Sequence, residues 1–284
     1  MQKTAVLIIL AVFALVAIIY ISFDGVAPNR DFPGAKAVKI DQRWDMPMVL
    51  EEISGIAWID NEHIACVEDE EAIIFIYNLK TLEVERQIVF GEDGDYEGIA
   101  LVGNDAYVLR SDGTLFEVLN YLSEEEEKEV NEIKIGFNQK YNFEGISYDK
   151  KRNRLILAIK DKAEKDYKPV YSFNLNTKQL DKEPAYKIMF NDTIFNGLEL
   201  KENNHLIQPS EIAIHPKTGE VYILEGTNPK LLILSPNGKT KKLHVFQEEQ
   251  FPQPEGITFD NEGNLYISNE GAGAMGNILK VRLQ

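Results

Sequence analysis

Three glutamates in this chain recur in one phrase. Glu97 in DYEGIA, Glu144 in NFEGIS and Glu255 in QPEGIT each stand immediately before a glycine. The phrases ISGIAW and PSEIAI repeat the pattern with Ser54 and Ser210 in the glutamate's place. Brought round one axis, the five phrases predict a ring of Ser, Glu, Glu, Ser and Glu. Carboxylates sharing a small volume repel one another and take up protons unless a cation lies between them. Oxygen donors of this kind suit calcium, which takes about six to eight oxygens from carboxylates, carbonyls and waters. Asp112, Asp161 and Glu270 follow the next strand of their repeats and are expected to support Glu97, Glu144 and Glu255, as are Glu68 and Asp69 in the first repeat. Two other readings use the same residues. The glutamates cap backbone amides of a neighbouring repeat or pair with Arg110 and Lys160, or they form a catalytic carboxylate cluster. Asp93-Gly94-Asp95 adds negative charge beside Glu97, but it lacks the alternating ligands of an EF-hand loop.

Other chemistry is sparse. His63, His205, His215 and His244 are scattered, with no pair spaced to share a metal on one helix face. His63 and His244 read as turn or strand surface residues, His215 as structural, and His205 as the one placed to reach a channel mouth. No Gly-x-Ser-x-Gly elbow, phosphate loop or dinucleotide fingerprint is present. Ser54 and Ser210 have no evident general base. The single cysteine, Cys66, excludes an internal disulfide framework and reads as a small buried hydrophobe.

Positioning such a ring is the task of a repeating strand unit. Aligning the phrases on Gly55, Gly98, Gly145, Glu211 and Gly256 gives successive spacings of 43, 47, 66 and 45 residues. Each phrase is followed by a polar turn and a second strand, then by a third, as in HIACVED and AIIFIYNL. A fourth is visible as VERQIVF, VNEIKIGF, AYKIMF and KKLHVF. Four strands at a period near 45 are the mark of propeller blades, and the helices that a barrel or doubly wound sheet needs are missing. The expected fold is therefore all-β, a five-bladed β-propeller over residues 35–284. A sixth blade would have to fit between Gly145 and Glu211, an interval too short for four further strands. Phe195 to Gln208 reads as an enlarged connection. The last repeat supplies three strands, so AKAVKIDQ, residues 35–42, is expected to close it as the outer fourth.

The remaining features concern location and surface. An uncharged run from Thr4 to Phe23 follows Lys3 and ends at Asp24. Its length matches the bilayer core, and the flanking charges place the body outside the cytoplasm. Residues 1–23 read as an uncleaved membrane anchor, with a cleaved signal segment as the alternative, and 24–34 as a tether. That gives a membrane-anchored protein with its propeller outside the cytoplasm, or a secreted one if the segment is cleaved. The formal charge of −16 on 284 residues argues against nucleic acid as a partner. Four consecutive glutamates, Glu124 to Glu127, make Tyr121 to Val130 a solvated loop or a short helical insertion.

The phrases ISGIAW, DYEGIA, NFEGISYD and PQPEGITFD, in this order and behind one apolar segment, resemble the SdiA-regulated (YjiK-like) family. The resemblance spans Ala35 to Gln284. It implies a five-bladed propeller distantly related to NHL repeats, with calcium at a shared site. That site corresponds to Glu97, Glu144 and Glu255, with help from Asp112, Asp161 and Glu270. This chain departs from the pattern at Ser210-Glu211, where glutamate takes the glycine position, so that Glu211 points either into the channel or outward. Two functions follow as expectations. The first is a calcium-binding module for a protein or envelope component. The second is a calcium-dependent hydrolase of a lactone, ester or phosphoester at the central channel.

Overall fold

The computed structural model describes residues 38–136, 141–161, 163–198, 206–271 and 273–284. The run from Thr4 to Phe23, the tether, the first three residues of the closing strand and His205 lie outside them. No helix of the described residues is long and apolar enough to cross a membrane.

Five antiparallel sheets form among the described residues. Blade 1 runs from the inner strand Ile53–Trp58 through His63–Glu68 and Ile73–Asn78 to the outer strand Glu83–Val89. Blade 2 repeats this with Tyr96–Val102, Asp105–Arg110, Thr114–Val118 and Val130–Lys134. In blade 3, Phe143–Asp149, Arg154–Ile159 and Tyr167–Asn174 are followed by a split outer edge, Gln179–Leu180 and Tyr186–Met189. Blade 4 comprises Glu211–Ile214, Val221–Glu225, Lys230–Leu234 and Thr240–Val245. Blade 5 has Pro254–Phe259, Leu265–Asn269 and Asn277–Leu283, and its outer strand is Val38–Asp45 from the other end of the chain. Each inner strand packs against the inner strands of both neighbours, which closes the ring. The expected five blades and the terminal closure are both present, and no sixth blade intervenes among the described residues. Thr193–Phe195 is a short 3-10 turn at the start of the enlarged connection.

Burial explains why these segments are strands. The second and third strands of a blade are covered on both faces by adjacent blades, so they read as continuous apolar runs such as Leu155–Ile159 and Leu231–Leu234. Outer strands have one wet face and alternate, as Glu83–Val89 does. Apolar side chains between adjacent blades form the core, for example Tyr96, Phe90 and Phe116 between blades 1 and 2. Cys66 is buried in that framework as expected.

His244 differs from its expected surface position. It is fully buried, because in Thr240–Val245 it pairs with Leu231 and its side chain falls on the covered face. The segment from Tyr121 to Glu129 is a loop. Arg86 of blade 1 donates to the Leu122 and Ser123 carbonyls, and Lys128 donates to those of Ser123 and Glu125.

Candidate functional site

The inner strands do not begin with regular pairing. In blades 1, 2, 3 and 5 the register slips between Ile53 and Gly55, Tyr96 and Gly98, Phe143 and Gly145, and Pro254 and Gly256. The extra residue in each slip is Ser54, Glu97, Glu144 or Glu255. A bulge leaves its extra residue out of the ladder and re-aims its side chain. This is the local device that turns the phrase position toward the channel.

The glycine after each bulge is required by close approach. A Cβ on Gly55 would lie 2.6 Å from the Gly98 Cα, and one on Gly145 would lie 2.9 Å from the Ile212 nitrogen. The inner strands thus meet almost backbone to backbone. Blade 4 has no bulge, and its glycine position is Glu211, paired in register with Leu224. The side chain points inward and is fully buried. Its Oε1 accepts the N–H groups of Ile146 at 2.6 Å and Ile212 at 2.9 Å. Its Oε2 lies beside Gly98 and has no hydrogen-bond partner among the described residues. Burial holds this carboxyl well above the usual range, against its two backbone hydrogen bonds, and Glu144 and Glu255 add to the rise.

The two serines staple blades together. Ser54 donates to the Tyr96 carbonyl at 2.7 Å and Ser210 to the Pro254 carbonyl at 2.8 Å. The three glutamates face the mouth. Glu144 is buried and accepts from the Asn142 amide and from Lys160 Nζ at 3.1 Å. Glu97 hydrogen-bonds Glu144, and burial together with the Glu144 charge pushes its carboxyl up to about 10. Burial raises the Glu144 carboxyl as well, with the Lys160 ammonium opposing the rise. Burial also pushes Glu255 up to about 8, Lys160 opposing and Glu144 and Glu270 adding to the rise.

A second ring follows from the strand register. The first residue after the second strand is Asp69, Ser111, Lys160, Gly226 and Glu270 in blades 1 to 5. Glu270 accepts from the Gln253 amide, and its carboxyl is raised by burial and then by Asp69 and Glu52. Asp69 is pushed up to about 6 by burial, with Glu52, Glu70 and Asp95 adding to the effect. Its Oδ1 is also buried without a partner among the described residues. Asp112 and Asp161 fall one residue beyond this ring, and both are exposed. Asp112 is held by Arg110, with Nη2 to Oδ2 at 2.9 Å, and Asp161 accepts the Asn142 N–H at 3.2 Å. Of the expected set, the structure thus brings Glu97, Glu144, Glu255 and Glu270 to the mouth and turns the other two outward. Of the two expected basic partners, Lys160 meets the glutamates, whereas Arg110 lies over the Phe116 ring.

Spacing alone does not single out Lys160 as the central cation, because the count from the phrase glycine varies, being 14 residues to Asp69, 13 to Ser111, 15 to Lys160 and 14 to Glu270. The Lys160 ammonium feels Glu144 first, then Glu255 and Glu97, which hold its proton more tightly than usual against the effect of burial. Lys168 is fully buried behind it and donates to the Lys160 carbonyl at 2.7 Å. Four carboxyl groups, those of Glu97, Glu144, Glu255 and Glu270, interact electrostatically with Lys160 here beside Glu211; Asp95 acts on Glu97 and Glu144, and Asp69 and Glu52 act on Glu270, from a rim where Asp95 and Glu52 are exposed. The donor set is all oxygen and its charge exceeds what one lysine balances, so by chemistry it fits a hard cation. As they stand, no three His, Cys, Asp or Glu side chains among the described residues are gathered to hold a metal ion. The side chains are arranged about Lys160 instead.

The far end of the inner strands is different. The Trp58 and Tyr266 rings meet in a tilted pair with centroids 4.8 Å apart, and a cavity of about 640 Å³ opens there, lined by Trp58, Leu101, Asn104, Tyr121 and Leu122 among others. None of the mouth carboxylates lines it.

Among solved structures, the chain is similar to Myxococcus xanthus glutaminyl cyclase, with a TM-score of 0.61 at 12% identity, over 89% of this chain and 99% of that one. It is also similar to the PQQ-bound aldose sugar dehydrogenase of Streptomyces coelicolor, with a TM-score of 0.55 at 13% identity, over 88% and 99% of the two chains. At such identities the likeness is one of fold. No curated protein sequence matches. The SdiA-regulated family profile matches residues 34–272, which covers every inner-strand phrase, and the chain belongs to the SdiA-regulated family.

Proposed function

We propose that this chain is a binding module whose channel mouth holds calcium on Glu97, Glu144 and Glu255, with Glu270 beside them. The uncharged run from Thr4 to Phe23 anchors it in the membrane, and the propeller works outside the cytoplasm on a protein or envelope partner. The observation that carries the cation reading is the imbalance of charge. Four carboxyl groups act on one lysine in a partly dehydrated mouth, with Asp69, Asp95 and Glu52 at its rim, beside a buried Glu211 oxygen that has no hydrogen-bond partner among the described residues. Several of those carboxyls therefore favour the protonated form, and a divalent cation removes that penalty by supplying opposite charge.

The chain's own residues supply orientation. Asn142 and Gln253 fix one oxygen each of Glu144 and Glu270, and the bulges aim the phrase glutamates inward. The glycine contacts make the frame stiff, which suits a recognition surface. Metal analysis of the purified protein and thermal unfolding with and without a chelator test the reading. Bound calcium and a fall in Tm on chelation are expected, and the E97Q/E144Q/E255Q variant should show neither. Absence of calcium from the wild type, with a Tm indifferent to chelator and calcium, would remove the metal from the account.

A further inference from the structure

The place where a cation belongs in this mouth already holds one. Asp69, Ser111, Gly226 and Glu270 stand at the corresponding positions of the other blades, so blade 3 alone presents an ammonium there. Lys160 Nζ lies 3.1 Å from Glu144 Oε2, and the next charges it feels are Glu255 and Glu97. These are the oxygens that the cation reading assigns to calcium.

The two ends of the residue differ in freedom. Its backbone is pinned, with its N–H on the Asn142 carbonyl at 2.9 Å and its carbonyl taking Lys168 Nζ at 2.7 Å. Its side chain is 30% exposed, so the ammonium can turn into water while the strand stays in place. Glu144, by contrast, is 2% exposed at its side chain and cannot follow. Below them the Glu211 Oε2 is buried with no hydrogen-bond partner among the described residues.

We propose that Lys160 is a built-in counter-cation that competes with calcium for Glu97, Glu144 and Glu255, and so sets the affinity and the cation preference of the mouth. This rests on the reading that calcium binds there. A monovalent ammonium leaves most of the cluster's negative charge unbalanced, so a divalent cation gains by displacing it. Entry of the metal breaks the charge-assisted hydrogen bond to Glu144, and that loss weakens binding relative to a mouth without the lysine. A neutral side chain of similar length at position 160 should therefore tighten calcium binding by about tenfold or more.

The test is calcium titration calorimetry on the purified full chain, after chelator treatment, for wild type, K160M and the control K217M. Lys217 is an exposed lysine paired with Glu262. The expected result is tighter binding in K160M, little change in K217M, and a lower Tm for calcium-free K160M that calcium restores. Binding in K160M with none in the wild type also supports the proposal, while sinking the calcium reading for the native chain. Equal or weaker binding in K160M than in the wild type overturns the proposal and leaves the calcium reading standing. Binding in neither protein overturns both. Folding of K160M is checked by circular dichroism, and K160Q serves in its place if K160M does not fold.

Discussion

Replacing Glu255 by Gln should stabilise the calcium-free protein at alkaline pH. A carboxyl whose folded pKa lies above its unfolded value favours the folded state while protonated. That stability is fully present below the unfolded value and is lost as pH rises towards the folded one. For Glu255 the window runs from 4.5 to about 8. At about 1.4 kcal/mol per pH unit the ceiling is near 5 kcal/mol. Glu255 is partly exposed and water screens it, so about 1–2 kcal/mol is the expected effect. E255Q carries no such penalty. It should match wild type near pH 4.5 and exceed it by about that 1–2 kcal/mol at pH 8. Asp69 acts in the same direction from 3.8 to about 6 in both proteins, so the difference between them isolates Glu255. The assay is urea unfolding across that pH range with chelator present, because a bound cation would lower the carboxyl's pKa and reverse the trend. An E255Q protein less stable than wild type at pH 8 would refute the claim that this carboxylate is held at a cost.

Other consequences follow from the frame. Gly55→Ala puts a Cβ 2.6 Å from the Gly98 Cα with backbone on the far side, so it should cost about 2–3 kcal/mol or more in urea unfolding. Lys230 and Glu225 form a buried pair at 2.6 Å. Lys230→Met should therefore lose about 3–5 kcal/mol in the same assay, because the carboxylate is left without its partner. Cys66 is fully buried and its thiol is pushed up by burial, so it should react with a thiol reagent only after denaturant is added. Deleting residues 1–45 removes the outer strand of blade 5 and exposes the edge of Asn277–Leu283, which should show as aggregation in size-exclusion chromatography.

The blades were legible because burial on both faces leaves a mark in sequence. Strands such as Leu231–Leu234 are apolar throughout, their turns are polar, and the unit recurs five times. The phrase glutamates were legible for the same reason, since each occupies one fixed place in that unit. Details that depend on a single residue of register were harder to read. Asp112 and Asp161 lie one position past the inward ring, and the inner-strand bulge is an extra residue that an alternation pattern does not reveal. Lys160 was visible as a neighbour for the glutamates but not as the cation at their centre, because its place depends on the register of the second strand. Glu211 looked like a departure from the glycine pattern. The three-dimensional reason for its inward aim is that the bare backbone of Gly98 leaves space for its carboxyl group. His244 was misplaced because Thr240–Val245 has few apolar residues to show which face is covered.

The most direct test of the cation site is a crystal structure of the domain soaked in calcium, with anomalous differences measured. The expected result is a peak among Glu97, Glu144 and Glu255, with the Lys160 ammonium turned away from Glu144. A Lys160 still on Glu144, with no peak at the mouth under saturating calcium, would contradict it.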